Sequence, residues 1–484
     1  MAVKLPHPPG SYREILAVSL PVIAGMAAQT VMMFCDRIFL ARHSVWELQA
    51  ALPAGILAFT LISVFQGTAG YASTFVAQNH GAGNRNGVAV SYSQGVFLAL
   101  FSAPILLLIG VPGQEVLKLG GHPAHVLALE EVYFRWMIIA GVGATLNAGA
   151  ASLWSGLGRT TVTMAAGMAG AALNVFLDWI LIFGRFGFPE MGIEGAGIAT
   201  AISSFVPGLV LISLSMSGKI AREFPIRSLF RFSATQAWKT IRYGLPSAIS
   251  VFMDVASFSV FVFLTGRLSP VEFTASNIAF GVNNLAFHPL LGFSIATTIL
   301  VGRYRGAGDS RMAARVTRRT LVVALLYFSA IALTFLLLPG FYMNLFRSPE
   351  VDVPFEQLKA TGSVLLAILC MWGGFDAVSL MLGGALRGAG DTRFVMLLST
   401  CLGWLFWIPG IFLLYRGPGT GVISLWLFTT LYIALLAVGY FVRYKKGPRE
   451  PSCLWSMETS CPFLLPSPRE EVDGTATPPA EYTR

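Results

Sequence analysis

Val76–Asn84 reads VAQNHGAGN, and Val301–Asp309 reads VGRYRGAGD. The two stretches lie 225 residues apart, and each closes a long apolar run with a Gly-x-Gly turn. The same spacing relates Leu20-Pro21 to Leu245-Pro246. Nearly the same spacing relates SGLGRT from Ser155 to RGAGDT from Arg387. Three matches in order at an almost constant offset make the chain an internal duplication. Working outward from them, the apolar stretches fall at about 15–41, 48–77, 88–111, 127–154, 161–184 and 194–217 in one half. They fall at about 240–267, 273–301, 314–339, 359–386, 393–415 and 420–442 in the other. Breaks are expected at Asn79–Gly87, Pro112-Gly113, Arg185–Gly192 and Pro339-Gly340, where Gly, Pro and polar residues gather.

Composition agrees with a membrane protein. Of 484 residues, 55% are hydrophobic and 12% charged, against roughly 25% charged in a soluble protein. Mean hydropathy is +0.68. These values argue against a soluble enzyme, a disordered regulator and a nucleic-acid binder, despite the net charge of +9. A bilayer-crossing helix needs about 20 apolar residues, more when tilted, and twelve such helices fit the length. The expected fold is an all-α integral membrane protein, twelve helices in two pseudo-symmetric lobes of six. The lobes are read at 1–217 and 240–446, with a basic linker at 218–239 and a disordered tail at 447–484. Six crossings per repeat start both halves on the same side, so the repeats are parallel and related by an axis near the membrane normal. The first segment is too long for a signal peptide. Cys35, Cys370, Cys401, Cys453 and Cys461 form no CxxC pair and suggest neither a disulfide framework nor a metal site.

Lys and Arg give the orientation. Twenty-two of the 33 lie at the ends and loops on the N-terminal side, nine on the opposite side and two in the distal tail. The positive-inside rule then places both termini in the cytoplasm of a cell (inner) membrane.

Acids are the informative charges. Among 24 Asp and Glu residues, only Asp36, Asp178, Asp254 and Asp376 lie well inside apolar segments. An ionised Asp near a helix centre costs about 2.5–3.5 kcal/mol to insert, so such residues face protein or water, take a proton or bind a cation. Gln29 precedes Asp36 by two helical turns on the same face. Asn174 and Asp178 are i and i+4, and Thr200 lies in the next segment. Carboxylates, an amide and a hydroxyl are hard oxygen ligands that suit Na⁺ or a proton, with Na⁺ assigned to Asp36, Asn174 and Asp178. In the second half, Asp254 and Asp376 accompany Asn277, Asn283, Asn284 and Trp372. These could form a second cation site or an anchor for a cationic substrate beside an aromatic face. Arg37 is read as structural or interfacial. The two GAGD sequences, at Gly306–Asp309 and Gly388–Asp391, are read as turns and helix caps rather than as an intramembrane protease motif. No Walker-type or HExxH motif is present, and no cofactor is expected.

Four segments then carry a family resemblance. LNVFLDWILIFG with MGIEGAGIATAIS (Leu173–Ser203) resembles the helix 5–6 signature of MATE, the multidrug and toxic compound extrusion transporters. CDRIFLAR is similar to that family's first-helix acid motif, FHPLLGFSIATTILVGRYRGAG to its helix 8 end, and FDAVSLMLGGALRGAGDT to its helix 10. The resemblance covers about 12–445. It implies two six-helix lobes around a V-shaped cavity and cation-coupled export of organic, often cationic, compounds. It maps the family's first-lobe cation site onto Gln29, Asp36, Asn174, Asp178 and Thr200. It maps the helix 7 and 10 acids of the NorM-type branch onto Asp254 and Asp376. Arg37, Asn277 and Trp372 depart from the residues usual in that branch. The chain is thus expected to be a non-enzymatic secondary antiporter driven by Na⁺ or H⁺, monomeric in the bilayer. The alternatives are a lipid-linked oligosaccharide flippase of the same superfamily, against which the acidic rather than basic interior weighs, and an intramembrane enzyme.

Overall fold

The structure, a computed structural model, describes residues 8–118, 121–345, 354–417 and 421–447; the expected disordered tail lies outside them, apart from Gly447. It is a bundle of long apolar helices. In the first half these are α1 (Tyr12–His43), α2 (Val45–Gly81), α3 (Arg85–Lys118), α4 (Ala124–Gly156), α5 (Thr160–Ile182) and α6 (Gly192–Ser215). In the second they are α7 (Ala234–Thr265), α8 (Pro270–Gly306), α9 (Ser310–Leu337), α10 (Phe355–Gly388), α11 (Thr392–Arg416) and α12 (Val422–Lys446). Among the described residues the count is twelve if α8, bent by 41° between Asn284 and Ala286, is one span. Short helices Gly218–Glu223 and Ile226–Leu229 occupy the linker.

Prolines shape the spans in two ways. Pro289 has no N–H to bond the carbonyl of residue 285, and that is where α8 bends. Likewise, a π-helical stretch, Leu402–Trp407, precedes Pro409 in α11 and absorbs the missing bond. The break expected at Pro112-Gly113 does not occur: α3 continues to Lys118. One lost bond is tolerated there because Gly113 lets the helix lie against Phe134, where a Cβ would come within 2.8 Å of the ring. Helix α7 also starts inside the stretch read as linker. Gln94 of α3 fixes that start, accepting from the Ser233 N–H at 3.0 Å and donating to the Arg231 carbonyl at 2.9 Å.

The repeated Gly-x-Gly turns are one turn built four times. Gly83, Gly158, Gly308 and Gly390 all have positive φ, from 71° to 90°, a conformation only glycine adopts without a penalty. In each, the next N–H bonds back across the helix end: Asn84 to Asn79, Arg159 to Trp154, Asp309 to Tyr304 and Asp391 to Leu386, at 2.8–2.9 Å. This is a Schellman-type stop. Asp309 then caps α9 by accepting from the Met312 N–H at 2.8 Å. Asp391 instead pairs with Arg443 of α12 at 2.6 Å.

Contacts between the halves obey the same duplication. A Cβ on Gly67 would meet Ala248, and one on Gly292 would meet Ile23; both members of the second pair are offset by 225 residues from the first. A Cβ on Gly81 would strike Arg303, and one on Gly306 would strike Gln78, again an exchanged pair. Such reciprocal contacts are the mark of a two-fold relation. They place α2 against α7 and α8, and α1 against α8, with backbones close enough to exclude side chains.

Candidate functional site

The first-lobe acids meet where α1, α5 and α6 adjoin. Asn174 and Asp178 are fully buried on α5, and Asp36 on α1 is half-buried. The Asn174 amide, oriented to satisfy both its ends, donates to Asp36 Oδ1 at 3.0 Å and Asp178 Oδ2 at 3.2 Å. Its oxygen then accepts from the Thr200 N–H at 3.3 Å. The other orientation places its nitrogen 3.3 Å from the Thr200 hydroxyl. That hydroxyl is itself tied to the Ala196 carbonyl at 2.9 Å. Asp178 Oδ1 is buried and has no partner. A buried, unsatisfied carboxylate oxygen is costly and wants a proton or a cation.

Four of the five residues singled out in this lobe are therefore brought together. Gln29, two turns from Asp36 on α1, is exposed and makes no hydrogen bond to the cluster. Arg37 and Tyr133 lie within electrostatic range of the acids. Tyr133, on α4, was not legible in the sequence, because one tyrosine in an apolar span is as easily packing.

The second-lobe acids are arranged differently. Asp254 on α7 is accessible, yet Ser399 of α11 is within hydrogen-bonding reach and Arg387 and Asp376 of α10 are within electrostatic range. Asp254 thus borders open space between these helices. Ser379 donates to Asp376 Oδ1 at 3.3 Å. Tyr432 and Tyr440 of α12 also lie close to Asp254. Asn277 and Asn284 are exposed and Asn283 half-buried. Among the described residues, no side-chain hydrogen bond joins these three to either acid. Trp372 turns into the core, packing on Phe280 and Trp426 with ring centroids 6.1 and 5.4 Å away. Arg387, Ser399, Tyr432 and Tyr440 were missed, because neutral polar groups in apolar spans carry too small an insertion cost to stand out, and Arg387 sits in a turn motif. Among the described residues, no cluster of three His, Cys, Asp or Glu suits a metal ion.

At the end of the bundle where the chain begins, a buried polar cluster joins the lobes. Glu14 of α1 accepts from the Gly10 N–H at 2.7 Å and the Tyr304 hydroxyl at 2.6 Å, and it pairs with Arg303 at 3.3 Å. Arg303 also donates to the Leu157 carbonyl at 2.7 Å. Gln78 donates to the Gly388 carbonyl at 3.0 Å, and Tyr71 to the Arg387 carbonyl at 2.9 Å. At the opposite end, the contacts of His43 with Glu47 and Glu190, and of Glu272 with the Val422 N–H, each stay within one lobe.

Known proteins share this architecture. The chain is 27% identical over 422 residues to a probable multidrug resistance protein NorM of Thermotoga maritima, covering 86% of this chain and 88% of that one. It is 28% identical over 454 residues to multidrug resistance protein MdtK of Yersinia pseudotuberculosis, covering 91% and 96%. Its fold matches an outward-facing multidrug resistance MATE family transporter of the MOP superfamily at a TM-score of 0.80, with 19% identity and coverage of 90% and 95%. It also matches a MATE crystal structure in the bent conformation at a TM-score of 0.79, with 19% identity and the same coverage. The sequence profile of the MatE family matches twice, over residues 21–180 and 246–413, stretches that begin 225 residues apart as the repeats do. The chain belongs to the MatE family of membrane transporters.

Proposed function

We propose that this protein is a secondary antiporter that exports organic, often cationic, compounds in exchange for Na⁺ or H⁺. The observation that carries the reading is the Asp36–Asn174–Asp178 cluster, two carboxylates bridged by one amide with a buried carboxylate oxygen left over. With its nitrogen toward the acids, the amide stands in for a cation. Turned over, it offers an oxygen ligand beside the two carboxylates and Thr200. The site therefore suits an ion that comes and goes. The multidrug resistance relatives support a drug as the exported species. Asp254, accessible and acidic, is the second-lobe group suited to a cationic substrate or a second ion.

The charge bias supports a cytoplasmic position for both termini, and with them for the Glu14–Arg303 cluster that latches the lobes together at that end. The arrangement is then held closed at the cytoplasmic end, while at the other end the contacts of His43, Glu47, Glu190 and Glu272 stay within one lobe. Moving one charge through 100 mV supplies about 2.3 kcal/mol, enough to favour gradient-driven export over passive leak. The test is transport in vesicles with Na⁺ and proton gradients imposed separately. Ethidium should move only with an opposed ion gradient. Full gradient-dependent ethidium transport by Asp36→Asn would overturn the assignment.

A further inference from the structure

Arg387 lies at the latched end of α10, in the turn RGAGDT. The turn itself does not require an arginine. In the equivalent SGLGRT of the first repeat, Ser155 takes the same place. Each residue lends its turn only a carbonyl, which accepts from the Gly158 N–H at 2.8 Å or the Gly390 N–H at 3.1 Å. The arginine side chain therefore answers to something else. It leans back over the preceding turn, as helical side chains do. A Cβ on Gly383 would lie 3.6 Å from its Nη2 and 3.4 Å from the Tyr440 ring of α12, and glycine leaves that room. The guanidinium thus lies inside the span instead of reaching the interface, and a charge held there calls for a partner.

Asp254 of α7, the accessible second-lobe acid, is within electrostatic range, and Tyr440 lies close to both. Among the described residues Arg387 has no ion pair within 4 Å, so it acts on Asp254 across a gap. The same residue reaches the other lobe through its backbone. Its carbonyl also accepts from the Tyr71 hydroxyl at 2.9 Å, and the Gly388 carbonyl accepts from Gln78 at 3.0 Å, both donors being on α2. The turn is wedged in place, since a Cβ on Gly388 would strike the Thr298 carbonyl of α8. A pull on Arg387 from Asp254 thus bears on the turn that holds the lobes together.

We propose, on the reading of Asp254 as a cation-accepting group, that Arg387 is a positioning residue of the exchange, tying the occupancy of Asp254 to closure of the cytoplasmic end. While Asp254 is empty and ionised, the guanidinium is its counter-charge and holds the turn against α2. A proton, Na⁺ or an organic cation at Asp254 cancels that attraction. Arg387 is then free to turn to the interface, and the bonds from Tyr71 and Gln78 lose their support. The empty protein stays shut at this end and the loaded one opens, because the occupant interacts differently with the two arrangements. An exchanger needs that rule, since reorienting empty would dissipate the gradient.

Opening is read from a cysteine at Ala77, a fully buried position of α2 that faces Gly302 of the other lobe. Its alkylation by a hydrophilic maleimide follows the open population when opening is fast relative to the reaction. The full chain carrying Ala77→Cys, in nanodiscs, is the parent for every variant, and the rate is the difference from the chain with Ala77 intact. Asp254→Asn, which imitates a neutralised acid, should speed the reaction about tenfold. Arg387→Ser, which the first repeat shows to suit the turn, should do likewise, and the two together no more than either alone. Arg387→Lys, which keeps the charge, should stay closer to the parent than Arg387→Ser. A rate in Asp254→Asn no faster than the parent's would overturn the proposal. Effects of the two substitutions that multiply would overturn it too, making Arg387 a support of the turn alone. Arg387→Gln takes the place of Arg387→Ser in the same cycle should that variant not fold. Ethidium export by the unsubstituted chain separates this from the exchange reading. No gradient-dependent export sinks that reading, whereas export with an unchanged alkylation rate in Asp254→Asn sinks only the role of Arg387.

Discussion

Asn174 is the residue on which the first-lobe site turns. It is buried between two acids and serves both with one amide group. Asn174→Leu should leave two carboxylates facing each other without a shared donor. Export should fall at least as far as in Asp178→Asn, because like charges this close cannot both ionise without a counter-charge. Thr200→Val should cost less, since that hydroxyl already spends its proton on the Ala196 carbonyl. Initial rates of ethidium transport at a fixed ion gradient rank the three. If Asn174→Leu transports as well as Thr200→Val, the amide is not central. Asp36 and Asp178 could be read from the sequence because an acid in an apolar stretch has a cost that needs a reason, and Asn174 followed by its i, i+4 spacing. Gln29 satisfied the same face rule yet sits apart, since a shared face says nothing about depth along a helix. Ser399 and Tyr440 gave no such signal, being neutral.

Elements are set by glycine and proline more than by apolar periodicity. The spans were readable to within a few residues, because every stretch long and apolar enough to cross had to be a helix. Helix ends at the four Gly-x-Gly turns were also readable, because positive φ selects glycine. The course of α3 through Pro112 was not, since proline removes one bond and neighbouring packing decides whether the helix survives. Nor were the contact glycines, which look in sequence like any other small residue of a membrane helix. Gly67 and Gly292 are the test. Each lies under a crossing from the other lobe, so Gly292→Leu should push α8 off Ile23 and Gly67→Leu should push α2 off Ala248. Overpacking of this kind costs about 1–3 kcal/mol. Thermal unfolding in detergent should show similar losses for the two, as the two-fold relation requires. By contrast, Gly167→Leu has open space around its Cβ and should be near neutral.

On the scale of the molecule, the duplication supplies a two-fold frame, and the latch breaks its symmetry. Gln78 and Arg303 occupy equivalent places in the two repeats, one neutral and one charged. Only the arginine finds a carboxylate, Glu14, across the lobes, with both side chains nearly inaccessible at 5% and 8% exposure. Removing one partner of a buried pair costs about 3–5 kcal/mol, because the other charge is left uncompensated. That cost falls only on the arrangement in which this end is closed. Glu14→Gln should therefore shift the lobes toward opening here, by a hundredfold or so in population at about 3 kcal/mol. Spin labels at Arg85 and Arg311, which follow equivalent turns of the two lobes, report the change. The wild type should give one short distance, Glu14→Gln a longer one, and Glu14→Gln with Arg303→Met a return toward the short distance, since no charge is then stranded. If Glu14→Gln keeps the short distance, the packing of Gly81 and Gly306 against the opposite lobe holds this end shut by itself, and the ion pair is not the latch.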